Sequence, residues 1–305
     1  MYSEAMADPI TLFSFGTLLD AKVQHQVFGG QLKASPATLS GVRIIDIPIN
    51  DPDVIAVSGI SVHRGLKRSI ESTVTGGILA LSSEQLAQAD AYEVSDYVRR
   101  RVQLTSGDLA WAYLDSHPIK AAERIGVIGD SIAYGRSDIT GGWAQHLKVA
   151  HCGSDEKRHR LWNFAIPGEK LTNLESYILP ELVTRSVDTV LIGAGINDVI
   201  AGISANAILT ALESLCEKLE DAGCRPVTFT PLWLDAEKTV RIFGADVDLV
   251  NVCNYRVALL DWGKRTHRDV VDLYPALENR SEILTDGIYP DARGHEIIFR
   301  SLYRS

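Results

Sequence analysis

Three short segments and a glycine, taken in chain order, carry residue types suited to acyl transfer. The apolar run 125–128 (IGVI) ends in Gly129-Asp130-Ser131, a form that presents a serine at a strand-to-helix turn. A serine opening a helix directs its own backbone N–H toward the place where an oxyanion develops. Gly168, within NFAIPGEKLTN, and then Gly195-Ile196-Asn197-Asp198 follow. The glycine lets main chain approach a substrate, and the Asn197 amide donates without carrying charge, so Ser131, Gly168 and Asn197 form a candidate oxyanion hole. The last segment, Asp286-Gly287-Ile288-Tyr289-Pro290, brings a carboxylate and a phenol. An unperturbed phenol titrates near ~10 and imidazole near ~6.5, so tyrosine is a poor general base at neutrality. His295 lies six residues beyond Tyr289 and shares a helical face with Ile298 and Leu302. Packing at the start of the last helix outweighs a relocated base for it. Asp130 and Asp198 read as cap and loop-fixing acceptors.

A second constellation lies earlier in the chain. Phe15-Gly16-Thr17-Leu18 follows a strand-like run, and Glu93 follows a short helical stretch that opens at Ser82 or Ser83. A glycine-containing turn can offer consecutive backbone N–H groups to a carboxylate. Partial burial beside Tyr92 would raise the pKa of the Glu93 carboxyl toward the working range. The run Arg99-Arg100-Arg101 alternates faces on a strand and reads as a solvated edge.

The elements that must position these residues differ in kind between the two halves. Runs at 9–19, 42–48 and 72–81, and a hairpin of 97–104 with 109–114 around Ser106-Gly107-Asp108, make the first half small and strand-rich. From Ile125, strand runs at 125–128, 188–193, 226–230 and 269–273 alternate with helices. The clearest helix is 205–222, with Ile208, Leu209, Leu212, Leu215 and Leu219 on one face and Gly223 as its stop. Such alternation implies a parallel sheet covered on both faces, with ligands at the carboxyl ends of its strands. The expected division is a domain over 1–117, a polar linker over 118–124 and a second domain over 125–305.

Bulk properties narrow the partners. The chain has 305 residues, net charge −9 and 46% hydrophobic residues. An acidic balance argues against nucleic-acid and anionic-membrane partners. No run of 18 apolar residues occurs, and the N-terminus lacks a basic segment followed by an apolar core, so a cytoplasmic protein that neither spans nor binds a membrane is expected. Cys152, Cys216, Cys224 and Cys253 show no CxxC pairing, which reads as reduced thiols rather than a metal site.

The serine-bearing segments, over roughly 123–305, resemble the signature blocks of the SGNH (GDSL-type) esterases. The resemblance implies an α/β fold, a three-layer α/β/α parallel-sheet domain, with Ser131 as nucleophile and Asp286 at the position of the orienting carboxylate. Tyr289 stands where that family carries its catalytic histidine. Loss of a triad base costs several powers of ten in rate, so a weak site, a borrowed base such as His295, and a binding-only site stay open. Residues 9–114 resemble the γ-glutamylcyclotransferase-like (AIG2-like) proteins, whose loop is Tyr-Gly-Ser-Leu or a close variant. Here Phe15 replaces the tyrosine and Thr17 the serine. The resemblance implies a small α+β barrel domain, substrate binding by Phe15, Gly16, Thr17 and Leu18, and Glu93 as acid and base. The reaction is closure of a γ-glutamyl compound to 5-oxoproline with release of an amine or amino acid.

The expectation is therefore a two-domain enzyme acting on small γ-glutamyl or ester substrates, with no metal and no organic cofactor. Two alternatives stand beside it. In one, a single domain is catalytic and the other, the SGNH-like half first, is a degenerate binding or interaction domain. In the other, the whole chain is a metabolite-binding scaffold.

Overall fold

The computed structural model describes residues 9–48, 62–243 and 248–304. The chain divides into two compact units, between His117 and Pro118.

The first unit is built on a five-stranded sheet in the order β2-β3-β1-β5-β4: β1 Ile10–Ser14, β2 Ala34–Pro48, β3 Val62–Leu81, β4 Tyr97–Gln103 and β5 Leu109–Asp115. β2 and β3 pair antiparallel along almost their whole length, and β4 and β5 form the expected hairpin. An isolated bridge between Leu39 and Leu104 joins the two outer strands, curling the sheet into a barrel. Phe13, Leu39, Val74, Val102 and Ala112 fill one face. Leu12, Leu79 and Leu81 meet helices α1 (Ala21–Phe28) and α2 (Ser83–Tyr92) on the other. The turn before α2 is fixed by a reciprocal cap in which Ser82 and Gln85 each hold the other's backbone N–H.

One expectation fails here. Arg99 is not at a solvated edge; it is buried against Trp111 and holds Asp90 with two hydrogen bonds, of 2.8 and 3.0 Å. Asp90 also accepts from the Tyr113 hydroxyl at 2.8 Å, so a carboxylate on α2 pins that helix to β4 and β5.

The second unit begins earlier than expected. Residues 118–124 are not a linker: Pro118–Ala121 form a short helix, α3, and Ile119 and Ala122 are fully buried among the core residues of this unit. Their apolar positions outweigh the polar ones that suggested an exposed segment. A five-stranded, all-parallel sheet follows in the order β10-β9-β8-β6-β7: β6 Arg124–Gly129, β7 Arg160–Asn163, β8 Thr189–Gly193, β9 Arg225–Phe229 and β10 Asp269–Val271. The four-residue β7 is too short to have shown itself by periodicity.

The remaining helices are α4 Ser131–Tyr134, α5 Gly142–Ser154, α6 Leu171–Thr184, α7 Ile196–Ile200, α8 Ala205–Asp221, α9 Ala236–Phe243, α10 Leu249–Thr266, α11 Tyr274–Leu277 and α12 Ala292–Arg304. One face of the sheet packs on α6, α8 and α10, and the other on α3, α5 and α12. The stripe Ile208, Leu212, Leu215 and Leu219 on α8 is fully buried, each side chain adding roughly 1.5–3 kcal/mol of transfer free energy.

The amino ends of the strands are stapled by buried charge. Asp188 accepts from the N–H groups of Glu123 and Arg124 at 3.0 and 2.7 Å, and Arg225 holds Asp269 at 2.6 Å. The carboxyl ends are governed by glycine. Gly129 has φ +149°, and a Cβ there would lie 2.2 Å from the Gly193 carbonyl oxygen.

Gly129→Ala should therefore lower unfolding free energy by roughly 3 kcal/mol. Gly153→Ala, in α5 with nothing near the added carbon, should be neutral or stabilise by about 0.5–1 kcal/mol. Urea denaturation of both variants beside the parent chain checks the pair.

Candidate functional sites

In the first unit, β1 ends at Ser14 and the chain turns through Phe15, Gly16, Thr17 and Leu18, with a single 3-10 turn at Thr17–Leu19. The turn is possible because Gly76 on β3 lies under it, where a Cβ would come 2.2 Å from the Ser14 carbonyl oxygen. The N–H groups of Thr17 and Leu18 have no partner among the described residues, leaving two adjacent donors at the turn. Glu93 caps the carboxyl end of α2. The preceding residue, Tyr92, donates its hydroxyl hydrogen bond to Thr17 Oγ1 at 3.1 Å. The loop and the glutamate-bearing helix end are thus held together.

Burial pushes the Glu93 carboxyl up to about 7. Tyr97 is pushed up to about 12 by burial, with the carboxylates of Asp115, Glu93 and Asp96 adding to the effect. Its hydroxyl is buried without a hydrogen-bond partner among the described residues.

In the second unit, Ser131 opens α4 directly after β6. Asp130 Oδ1 accepts from the Ile132 N–H at 2.9 Å, the capping role expected of it. Burial raises the Asp130 carboxyl to about 7 against the lowering effect of the N–H groups of Ile132 and Ala133. Ser131 Oγ donates to the Tyr289 hydroxyl at 3.3 Å. Asp286 does not reach out toward a base: its Oδ1 accepts from the backbone N–H groups of Ile288 and Tyr289 at 3.1 and 2.9 Å, folding the loop on itself.

The other candidate residues are placed as follows. Ile166 N–H bonds the Gly129 carbonyl at 2.9 Å, so the Gly168 loop, which leaves β7, is tied to the end of β6. Gly168 is exposed with φ +84°. Asn197 donates its side-chain amide to the Glu169 carbonyl at 2.9 Å, joining the two loops expected to supply oxyanion donors. Asp198 is fully buried and accepts from the N–H groups of Leu171 and Thr172 and from the Thr172 hydroxyl.

His295 is fully buried with both ring nitrogens engaged by main chain. Nε2 bonds the Arg136 carbonyl at 2.9 Å, and Nδ1 accepts from the Trp143 N–H at 3.3 Å. Because a carbonyl only accepts, the proton sits on Nε2. Burial holds the imidazole below its ordinary value. This neutral ring is a structural strut.

Two features went unseen in the sequence. Arg136 stacks its guanidinium 4.5 Å above the Tyr289 ring and places Nη1 3.5 Å from the Tyr289 hydroxyl. A cavity of about 50 Å³ opens beside Asp130 and Ile132, lined by Trp143, Phe229, Trp233 and Ile288 among other apolar side chains. Among the described residues no His, Cys, Asp and Glu group has the arrangement of a metal site, and all four cysteines are free.

A serine at the carboxyl edge of a doubly covered parallel sheet defines the second unit as a hydrolase-like α/β/α domain. The chain belongs to the GDSL-like lipase/acylhydrolase family, whose model matches residues 127–297. Residues 12–128 match the gamma-glutamyl cyclotransferase, AIG2-like family. The chain is thus a fusion of the two. No curated protein matches it.

Among solved structures, it is similar to Axe2, an acetylxylan esterase from Geobacillus stearothermophilus. The identity is 19% over 61% of this chain and 95% of that one, with a TM-score of 0.50. It is also similar to a lipase/acylhydrolase from Enterococcus faecalis, at 20% identity over 60% of this chain and 94% of that one, with a TM-score of 0.52. At these identities the likeness concerns the fold. No described helix is long and apolar enough to cross a membrane.

The raised pKa of Glu93 has a consequence for stability. Between the ordinary carboxyl value of 4.5 and about 7 the folded chain binds more protons than the unfolded one, so stability falls as pH rises through that window. Glu93→Gln should match the parent at pH 4 and exceed it above pH 7 by on the order of 2 kcal/mol. Thermal or urea unfolding across that range checks the sign.

Proposed function

We propose that the chain is a two-domain enzyme, with a γ-glutamylcyclotransferase-like activity at Glu93 and a serine acyl-hydrolase activity at Ser131. The observation that carries the first half is the position of Glu93, desolvated to a near-neutral pKa and tied through Tyr92 to the Thr17 loop.

In this reading the Thr17 and Leu18 N–H groups hold a substrate carboxylate. The Glu93 carboxylate takes a proton from the α-ammonium, and the freed amine attacks the γ-carbonyl carbon. The carbon–nitrogen bond to the leaving group then breaks as Glu93 returns the proton to the departing nitrogen. The second proton lost by the ring nitrogen passes to the same amine, which leaves as an ammonium. The products are 5-oxoproline and an amine or amino acid. Ring closure is intramolecular, so orientation and proton traffic are the main demands on the protein.

At the second site, Ser131 Oγ would attack an ester carbonyl and pass its proton to the Tyr289 oxygen that it already bonds. The Tyr289 hydroxyl would pass its own proton to the departing alcohol oxygen as the carbon–oxygen bond breaks. Water would then attack the acyl-serine through the same relay, releasing the acid and restoring Ser131. Gly168, Asn197 and the Ser131 N–H would receive the oxyanion. A second reading, in which this half binds acyl compounds without turning them over, is favoured by Asp286, whose observed contacts are with its own loop.

Release of 5-oxoproline from a panel of γ-glutamyl amines and amino acids should persist in Ser131→Ala and fall at least about 100-fold in Glu93→Gln. Its pH–rate profile should carry a limb near 7. Loss of release in both variants would contradict the assignment of separate sites. Intact-mass labelling with a fluorophosphonate probe tests the serine. A single adduct, absent in Ser131→Ala and formed at least about tenfold more slowly in Tyr289→Phe, is expected. No adduct would favour the binding-only reading.

A further inference from the structure

Arg136 is an exposed cation beside Ser131 with no acidic partner among the described residues. Its guanidinium lies over the Tyr289 ring and reaches the Tyr289 hydroxyl, which in turn receives the Ser131 hydrogen bond. It is therefore within two hydrogen-bond lengths of Ser131 Oγ. No carboxylate pairs with it among the described residues.

The arginine is also built in. Its N–H bonds the Ser131 carbonyl at 2.9 Å, and its own carbonyl accepts from the buried His295 at 2.9 Å. The next residue, Ser137, takes φ +71°, a left-handed conformation that a non-glycine residue adopts at a cost. The backbone is thus fixed on both sides, and the aromatic face under the guanidinium limits its remaining freedom. A rigid fork of N–H donors with one arm engaged and the others open suits a carboxylate or phosphate oxygen pair.

The apolar cavity supplies the complementary half. It is lined by Ile288, while the adjacent Tyr289 carries the arginine. A volume of about 50 Å³ admits only a few heavy atoms, since one water needs roughly 10–15 Å³ by the same measure.

We propose that Arg136 makes the Ser131 site selective for esters that join a short apolar acyl group to an alcohol bearing a carboxylate or phosphate. The proposal rests on the acyl-hydrolase reading of that site.

The test separates binding from turnover. Binding of 4-acetoxybenzoate, its neutral methyl ester and 4-acetoxyphenyl phosphate is measured by calorimetry on Ser131→Ala, with and without Arg136→Gln. Hydrolysis of the same three compounds is followed with Ser131 intact. The anions should bind about tenfold more tightly than the methyl ester, and Arg136→Gln should bring the ratio to about one, with Arg136→Lys between. The preference should shrink with added salt. The better of the carboxylate and phosphate arms identifies the anion. Arg136-dependent binding without hydrolysis keeps the anion site and removes the acyl-hydrolase reading. Equal binding of charged and neutral compounds overturns the proposal, whether or not they are hydrolysed.

Discussion

The serine-bearing unit depends on a missing side chain. At their carboxyl ends β6 and β8 run so close that only glycine fits at 129, facing the Gly193 carbonyl. That approach lets the Asp130 N–H bond the Gly193 oxygen at 3.2 Å and lets the chain turn sharply into α4. Ser131 consequently stands at the mouth of the sheet. The loop holding Gly168 is anchored to the same glycine through the Ile166 N–H. A methyl group at this point would displace Ser131 and that neighbouring loop together.

The barrel unit solves a different problem with the same device. Gly76 clears the space under Ser14, and the chain then turns with two backbone donors unpartnered among the described residues. Two carboxylates three positions apart, Asp90 on α2 and Glu93 at its C-cap, meet different surroundings. Asp90 is bound by Arg99 and Tyr113 and serves packing. Glu93 has no ion-pair partner among the described residues, and burial raises its carboxyl to about 7. Environment alone divides the tasks of these two acids.

Much of this was readable beforehand, for physical reasons. β-branched and apolar runs gave most strands of both units, β7 excepted, and a period of 3.6 gave the buried stripe of α8, because burial on one helix face leaves a periodic record. Glycine and aspartate at strand ends marked both loops. What stayed hidden depends on contacts remote in sequence. Arg99 looked solvated because its partner Asp90 lies nine positions back on another element. Residues 118–124 looked polar because two fully buried side chains, Ile119 and Ala122, are too few to make a pattern. Arg136 carries no local signature at all; only the return of the chain at Tyr289 gives it a partner. The His295 helix face was visible, yet its tautomer follows from the Arg136 carbonyl, which no spacing reveals.

The two sites also differ in when they can exist. Thr17 and Tyr92, which join the loop to the helix bearing Glu93, are 75 positions apart. Ser131 and Tyr289 are 158 positions apart, with a parallel sheet and most of its crossover helices between them. Closing so long a segment costs loop entropy before any contact repays it, and parallel pairing is slow for the same reason. During vectorial synthesis the barrel can mature while the sheet is still incomplete. The serine then waits, formed in sequence but unpaired in space, for the last loop to arrive.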